Sequence, residues 1–90
     1  MNDDSLREAT MNDARLHQGE RLDTRGLYCP EPIMLMHNKV RDMATGDILE
    51  VLATDPATTR DIPKFCNFLG HRLIEQSQDG EEYRYRILLG

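Results

Sequence analysis

Apolar residues recur along this chain in two rhythms, one typical of helices and the other of strands. Two sets recur every three or four positions, the spacing that places side chains on one face of an α-helix. They are Ile33, Met36, Val40 and Met43, and then Ile62, Phe65, Cys66 and Leu69. Shorter segments rich in Ile, Leu, Val or Tyr are bounded by turn residues, as strands are. The pattern therefore predicts two amphipathic helices and several short strands.

The predicted elements follow one another in the order βαβαββ. Their approximate bounds are 21–24, 30–43, 47–54, 58–69, 71–78 and 82–89. The second helix is expected to start at Thr58 or as late as Asp61, because Pro63 is tolerated only near a helix start. Asp79-Gly80 is typical of the tight turn of a β-hairpin. This order predicts a two-layer α/β sandwich, with two helices packed on a four-stranded mixed sheet.

Pro30 and Pro32 mark the start of the first helix, and Gly46 is the expected left-handed cap after its end. The first N–H groups of a helix have no partner within it, so prolines there lose no hydrogen bond and preset φ. They place Cys29 at the helix N-terminus, while Gly26 allows the preceding loop to turn sharply. Unpaired N–H groups and aligned peptide dipoles favour a thiolate at such a position. Cys29 is therefore the candidate nucleophile, and a small buried side chain is the alternative role.

Composition narrows the function classes further. The chain has 90 residues and a formal net charge of −5, which predicts one small domain and argues against nonspecific binding of nucleic acid. Residues 1–20 contain no Trp, Tyr, Phe, Ile or Val, so we expect a mobile polar extension followed by a folded domain at 21–90. No apolar run is long enough for a membrane span and no secretory signal is visible, so a cytoplasmic protein with free thiols is expected.

The remaining chemistry-bearing residues favour structural roles. Cys66 belongs to an apolar helix face and is expected in the core. The cysteines and histidines lack the paired short spacings of zinc sites, so no metal is expected. Aromatic and basic residues alternate through 83–86, which could contact RNA, but a strand with one packed and one solvated face explains them more simply.

Two segments resemble the TusA (SirA-like) sulfur-carrier family: GLYCPEP at 26–32 and DPATTRDIP at 55–63. The resemblance extends from about Leu22 to Leu89. It implies a fold like the C-terminal domain of translation initiation factor three. The chain departs from the short family pattern in its leader of about 20 residues, and in Tyr28, where a basic residue is common.

The resemblance implies that Cys29 carries a persulfide, supported by Gly26, Pro30, Glu31 and Pro32 of the motif. A cysteine desulfurase of the IscS type would donate the sulfur and a TusBCD-like complex would accept it, in the relay for 2-thiolation of tRNA wobble uridine. Related members serve sulfur oxidation or molybdenum-cofactor assembly. No cofactor is required, because persulfide exchange needs only thiols. A regulatory binding module without enzymatic activity is a further alternative.

Exchange between two proteins needs an exposed sulfur and a docking surface, not a deep pocket. Arg25, Arg60 and Asp61 are the polar residues that we expect near that surface, together with Glu31.

Overall fold

The computed structural model describes residues 19–90 of the chain. In that range six elements occur in the order βαβαββ. They are β1 (Gly19–Thr24), α1 (Glu31–Arg41), β2 (Ile48–Ala53), α2 (Thr58–Leu69), β3 (Arg72–Asp79) and β4 (Glu82–Leu88). The strands form one sheet in the order β1-β2-β4-β3, with β1 parallel to β2 and the other pairs antiparallel. This mixed sheet with its two helices confirms the predicted two-layer α/β sandwich.

The core lies between the helices and one face of the sheet. Val51 at the centre of β2 is opposite Leu22 of β1 and Tyr85 of β4, and both Val51 and Tyr85 are fully buried. Met36 of α1 and Ile62 of α2 cover this row from above and are also fully buried. The helical spacing of the apolar residues thus follows from the need to cover one sheet face.

The other face of the sheet carries charged side chains at the alternate positions. Glu50 accepts a hydrogen bond from Arg21 Nε at 3.0 Å and pairs with Arg84 Nε at 3.4 Å. Arg86 pairs with Glu75 of the edge strand β3 at 3.2 Å. This arrangement explains the alternation at 83–86, since its arginines lie on the solvated face, and it confirms the simpler interpretation of that segment.

Helix α1 ends earlier than its apolar pattern predicts. The last helical residue is Arg41, and the final turn closes through the N–H of Asp42 on Lys39 O and the N–H of Met43 on Val40 O, both at 3.1 Å. Residues 44–47 then form a separate turn, in which Ala44 N–H donates to Asp47 Oδ2 at 3.0 Å. The prediction that Gly46 caps the helix was therefore wrong, because this glycine (φ 94°) belongs to the turn before β2.

Helix α2 starts at Thr58 and contains Pro63 in its interior. The earlier of the two expected starts is therefore correct, although the proline rule favoured the later one. Two bonds to the carbonyl of Asp55 anchor the first turn, from Thr58 N–H at 2.9 Å and from its hydroxyl at 2.7 Å. This anchoring stabilises a start that Pro63 alone disfavours.

The predicted polar extension falls almost entirely outside the described residues, of which Gly19 is the first. The first strand starts there, two positions before the boundary expected at Arg21. Within residues 19–90 neither helix has the length and apolar character needed to cross a bilayer.

Candidate functional site

A tight turn between β1 and α1 presents Cys29 to solvent. Leu27 N–H donates to Thr24 O at 3.1 Å, and Gly26 N–H donates to Thr54 Oγ1 at 2.8 Å. Gly26 has φ 85°, and a Cβ atom there would meet nothing within 4 Å. The requirement for glycine is therefore one of backbone conformation and not of space. The turn leaves the Cys29 side chain exposed.

The carboxylate of Asp55 joins the cysteine loop to the start of α2. Its Oδ2 accepts the N–H of Cys29 at 2.8 Å and its Oδ1 accepts the N–H of Ala57 at 3.0 Å. Only 8% of Asp55 is exposed. These two N–H groups lower the pKa of Asp55, because hydrogen bonds to a carboxylate favour its charged form. Asp55 thus fixes the backbone of Cys29 relative to the second helix.

Two buried hydroxyl groups support the connection between the cysteine loop and α2 from the side of the sheet. Thr58 Oγ1 donates its hydrogen to Asp55 O and lies 2.9 Å from the hydroxyl of Tyr85. A threonine hydroxyl has one hydrogen, so Tyr85 must be the donor in the second bond. Thr58 and Tyr85 are both essentially inaccessible to solvent. The sheet is therefore connected through α2 to the backbone behind the cysteine.

An apolar groove of about 350 Å³ runs between α1 and α2 and ends at Cys29. Its apolar walls include Ile33 from α1 and Phe65 and Phe68 from α2. Phe68 is 88% exposed, an unusual position for a large aromatic side chain. Three titratable residues share the lining: His37, Asp61 and Lys64. The sulfur of Cys29 thus lies at the edge of an apolar surface that water covers in the free protein.

The electrostatics of Cys29 differ from the sequence-based expectation. The pKa of its thiol is raised, first by the interaction of its side chain with the Asp61 carboxylate, then by desolvation and by the negative charges of Asp61 and Asp55. Arg60 acts in the opposite direction. The expected stabilisation of the thiolate was therefore wrong for the free protein.

The helix start explains why the expected effect is missing. The Glu31 N–H, at the first helical position, donates to Tyr28 O at 2.9 Å. Pro30 and Pro32 have no N–H to offer. The same prolines that set the helix start thus remove two of the N–H donors that could have stabilised a thiolate, and the two aspartates act against the thiolate.

The other predicted site residues are divided between two places. Pro30 caps α1, Glu31 is its first residue and Pro32 is buried in its first turn. Asp61 lies beside Cys29, and Arg60 forms an ion pair with Asp61 at 3.5 Å. Arg25 lies elsewhere, because its guanidinium binds Asp23 at 2.7 Å and Glu82 at 2.8 Å. These partners raise the pKa of Arg25. Because its positive charge is paired with them, it does not offset the negative charge of Glu31.

Sequence reasoning placed Cys66 correctly and missed Asp55. Cys66 is 2% exposed and burial raises its pKa to about 11, which confirms its expected place in the core. In the sequence Asp55 stands directly after the strand predicted at 47–54, and it was given no role in the site. An aspartate before a proline is, however, typical of a turn in which its side chain accepts the N–H two residues further on, and that signal could have identified it. The partners Thr58 and Tyr85 gave no comparable signal.

Comparison with known proteins now bears on this site. A family model described as "Sulfurtransferase TusA" matches residues 20–88, most of the chain and all of the site. The chain belongs to the TusA family. A sulfur carrier protein TusA of Pseudomonas paraeruginosa (strain PA7) is 62% identical over 66 residues, which are 73% of this chain and 84% of that protein. A sulfur carrier protein TusA of Pseudomonas putida (strain F1) is 58% identical over 66 residues, with coverages of 73% and 82%. The resemblance inferred from the two sequence segments is thus confirmed, and the protein is a TusA-family sulfur carrier.

Proposed function

We propose that this protein carries sulfur as a persulfide on Cys29. It accepts sulfane sulfur from the persulfide of a cysteine desulfurase and transfers it to an acceptor protein in the cytoplasm. The observation that carries the proposal is the exposed Cys29 thiol at the end of an apolar groove, within a chain of the TusA family. A shallow, open site suits exchange between two proteins better than conversion of a buried small molecule.

The exchange itself requires only a thiol and a persulfide. The thiolate of Cys29 attacks the outer sulfur of the donor persulfide, and the donor cysteine leaves as a thiolate. The resulting persulfide of Cys29 is then attacked by the thiolate of the acceptor. Asp55 holds the Cys29 backbone in place through both steps, since it contacts the N–H and leaves the sulfur free.

Intact mass tests the loading step. The protein is incubated with a cysteine desulfurase and cysteine, and then weighed without reduction. We expect a gain of about 32 Da, the mass of one sulfur atom in a persulfide. Cys29→Ser should show no gain, whereas the matched Cys66→Ser should still be loaded because Cys66 is buried. An unloaded wild-type protein would contradict the proposal.

For the pathway we propose the relay to a TusBCD-like complex that leads to 2-thiouridine at the tRNA wobble position. Cells lacking the gene should lose this nucleoside, and the wild-type gene should restore it while the Cys29→Ser gene does not. Normal 2-thiouridine in the deletion strain would direct attention to another sulfur pathway, with the loading chemistry unchanged. Full complementation by Cys29→Ser would instead support a binding module.

A further inference from the structure

Asp61 is a carboxylate next to the reactive sulfur, and it can still pair with a further cation. It lines the same groove as Cys29, and 19% of its side chain is exposed. Its partner Arg60 is held at 3.5 Å and is 66% exposed. An ion pair this long and this solvated contributes little. Asp61 therefore remains available to a second cation that approaches from solvent.

Negative charge prevails around the sulfur when all neighbouring elements are considered. The loop before α2 contributes Asp55, which contacts the Cys29 backbone at 2.8 Å. The titratable residues that the helices contribute to this end of the site are Glu31 and His37 from α1, and Arg60, Asp61 and Lys64 from α2. The two aspartates and burial act together against the thiolate, and Arg60 opposes them without prevailing.

We propose that Asp61 suppresses the thiolate form of the unloaded Cys29 until an Arg or Lys side chain of the sulfur donor pairs with Asp61 in the docked complex. This inference rests on the proposed persulfide function. It assigns Asp61 two roles, as a restraint on the free thiol and as the docking point for a basic residue beside the donor's persulfide. The net charge of −5 agrees with a basic partner surface, because complementary charge steers such encounters.

The reaction balances without any further reagent. When the donor's cation pairs with Asp61, the Cys29 thiol loses its proton to solvent more readily, and its sulfur attacks the outer sulfur of the donor persulfide. A new S–S bond forms on Cys29 while the donor's S–S bond breaks, and the donor cysteine keeps the electron pair of that bond. The donor thiolate then takes up a proton, so one thiol and one persulfide are consumed and one of each is produced.

The restraint is also chemically useful to a carrier. A thiol reacts with stray electrophiles and disulfides through its thiolate. A free carrier that stays protonated is therefore protected until the correct donor arrives. Neutralising Asp61 by docking would couple reactivity to recognition, since the same contact provides both.

Alkylation by iodoacetamide tests the restraint in the free protein, with peptide mass analysis to follow Cys29 alone. At pH 7 we expect Asp61→Asn to react several-fold faster than wild type, because the neutral amide no longer opposes the thiolate. Arg60→Ala should react more slowly, because it removes the cation that opposes the aspartates. Asp42→Asn is the matched control, since Asp42 lies at the far end of α1, about 18 Å away at 1.5 Å per residue, and it should react like wild type.

Loading by a cysteine desulfurase tests the docking role, with the rate measured against donor concentration. Asp61→Asn should need a several-fold higher donor concentration for half-maximal loading, although its free thiol is the more reactive one. Raising the salt concentration should weaken loading of wild type more than loading of Asp61→Asn, because salt screens ion pairs between proteins. The weaker salt dependence of Asp61→Asn distinguishes this role from damage to the fold, which would also raise alkylation and weaken loading.

Two results would overturn the inference. One is equal alkylation rates of Asp61→Asn and wild type, which would show that Asp61 does not restrain the free thiol. The other is an unchanged half-maximal donor concentration for Asp61→Asn, which would show that Asp61 does not bind a cation of the donor. In both cases wild-type loading would persist. Failure of the proposed function itself would be recognised differently, as a wild-type protein that gains no sulfur at any donor concentration.

Discussion

Cys29 and Cys66 are the same residue type in opposite environments. Cys29 is exposed in the loop before α1, whereas Cys66 is 2% exposed on the buried face of α2. The pKa values of both thiols are raised, but for different reasons. Burial alone raises that of Cys66 to about 11, and the Asp61 carboxylate is the largest cause for Cys29. Access to solvent therefore distinguishes the two thiols in the native protein.

Selective alkylation is the prediction that follows at this scale. Brief treatment with iodoacetamide at pH 8 should modify Cys29 and leave Cys66 intact, because alkylation needs an accessible thiolate. In concentrated guanidinium both should be modified within the same period. Native Cys29→Ser should take up no label. Equal labelling of both cysteines in the native protein would show that α2 does not protect Cys66.

At the scale of elements, the site depends on the connection between the cysteine loop and α2. Neither element carries the site alone, since the sulfur comes from the loop before α1 and its acidic neighbour Asp61 comes from α2. The Asp55 carboxylate connects the two through its bonds to Cys29 and Ala57. The position of the sulfur relative to the groove thus depends on one side chain.

Replacing Asp55 by asparagine should weaken the connection between the cysteine loop and α2. The amide keeps one acceptor oxygen, so either the Cys29 N–H or the Ala57 N–H must face an NH₂ group instead. We expect a melting temperature several degrees lower and a several-fold slower loading by the sulfur donor. Alkylation of Cys29 by a small reagent should not slow, because the lost negative charge had opposed the thiolate. Loading at the wild-type rate would contradict a positioning role.

The pH dependence of stability gives an independent check on the stabilising role of the Asp55 carboxylate. Its pKa is lowered in the folded protein from an ordinary value of 3.8, so its stabilising effect is present above that value and is lost as the pH falls through the folded pKa. The difference in melting temperature between wild type and Asp55→Asn should therefore shrink in acid, as measured by circular dichroism. The Asp23 pKa, lowered to about 2 mainly by hydrogen bonding to Arg25, is common to both proteins. A difference that grows as the pH falls would reject this account.

At the scale of the whole molecule, the helical layer is attached to the sheet by packing and by a buried polar contact. Tyr85 on β4 donates to Thr58 on α2, and Thr58 donates to the carbonyl of Asp55. Apolar packing of residues such as Met36 and Ile62 provides most of the attachment, because it removes the larger area from water. The hydroxyl contact sets where the start of α2 lies over the sheet.

Tyr85→Phe tests that contact. Removing the hydroxyl should reduce the free energy of unfolding by about 1 kcal/mol, the usual net value of a buried hydrogen bond. Tyr83→Phe is the matched control on the same strand. The hydroxyl of Tyr83 makes no hydrogen bond within residues 19–90, so its removal should change stability by less than about 0.5 kcal/mol. Equal effects in denaturant unfolding would show that the Thr58 contact adds nothing.

The sequence by itself determined the elements, the layer arrangement and the family. Helical and strand spacings are local properties, and both apolar helix faces must be buried, which packing on one face of a small sheet achieves. The turn chemistry at Gly26 and the prolines at 30 and 32 likewise act on neighbouring backbone atoms. For the same reason Cys29 was identifiable as the candidate nucleophile, and the family segments at 26–32 and 55–63 could be recognised without a structure.

Only the tertiary structure decided the electrostatics of the sulfur. The helix-terminus argument considered Cys29 with its own helix, whereas the groups that govern its pKa are Asp61 and Asp55, which lie 32 and 26 positions further along the chain. Arg25 is close to Cys29 in sequence, yet its charge is held by Asp23 and Glu82. Charges act through space, so their effect on the thiol was fixed when α2 packed beside α1 and not by the order of the residues.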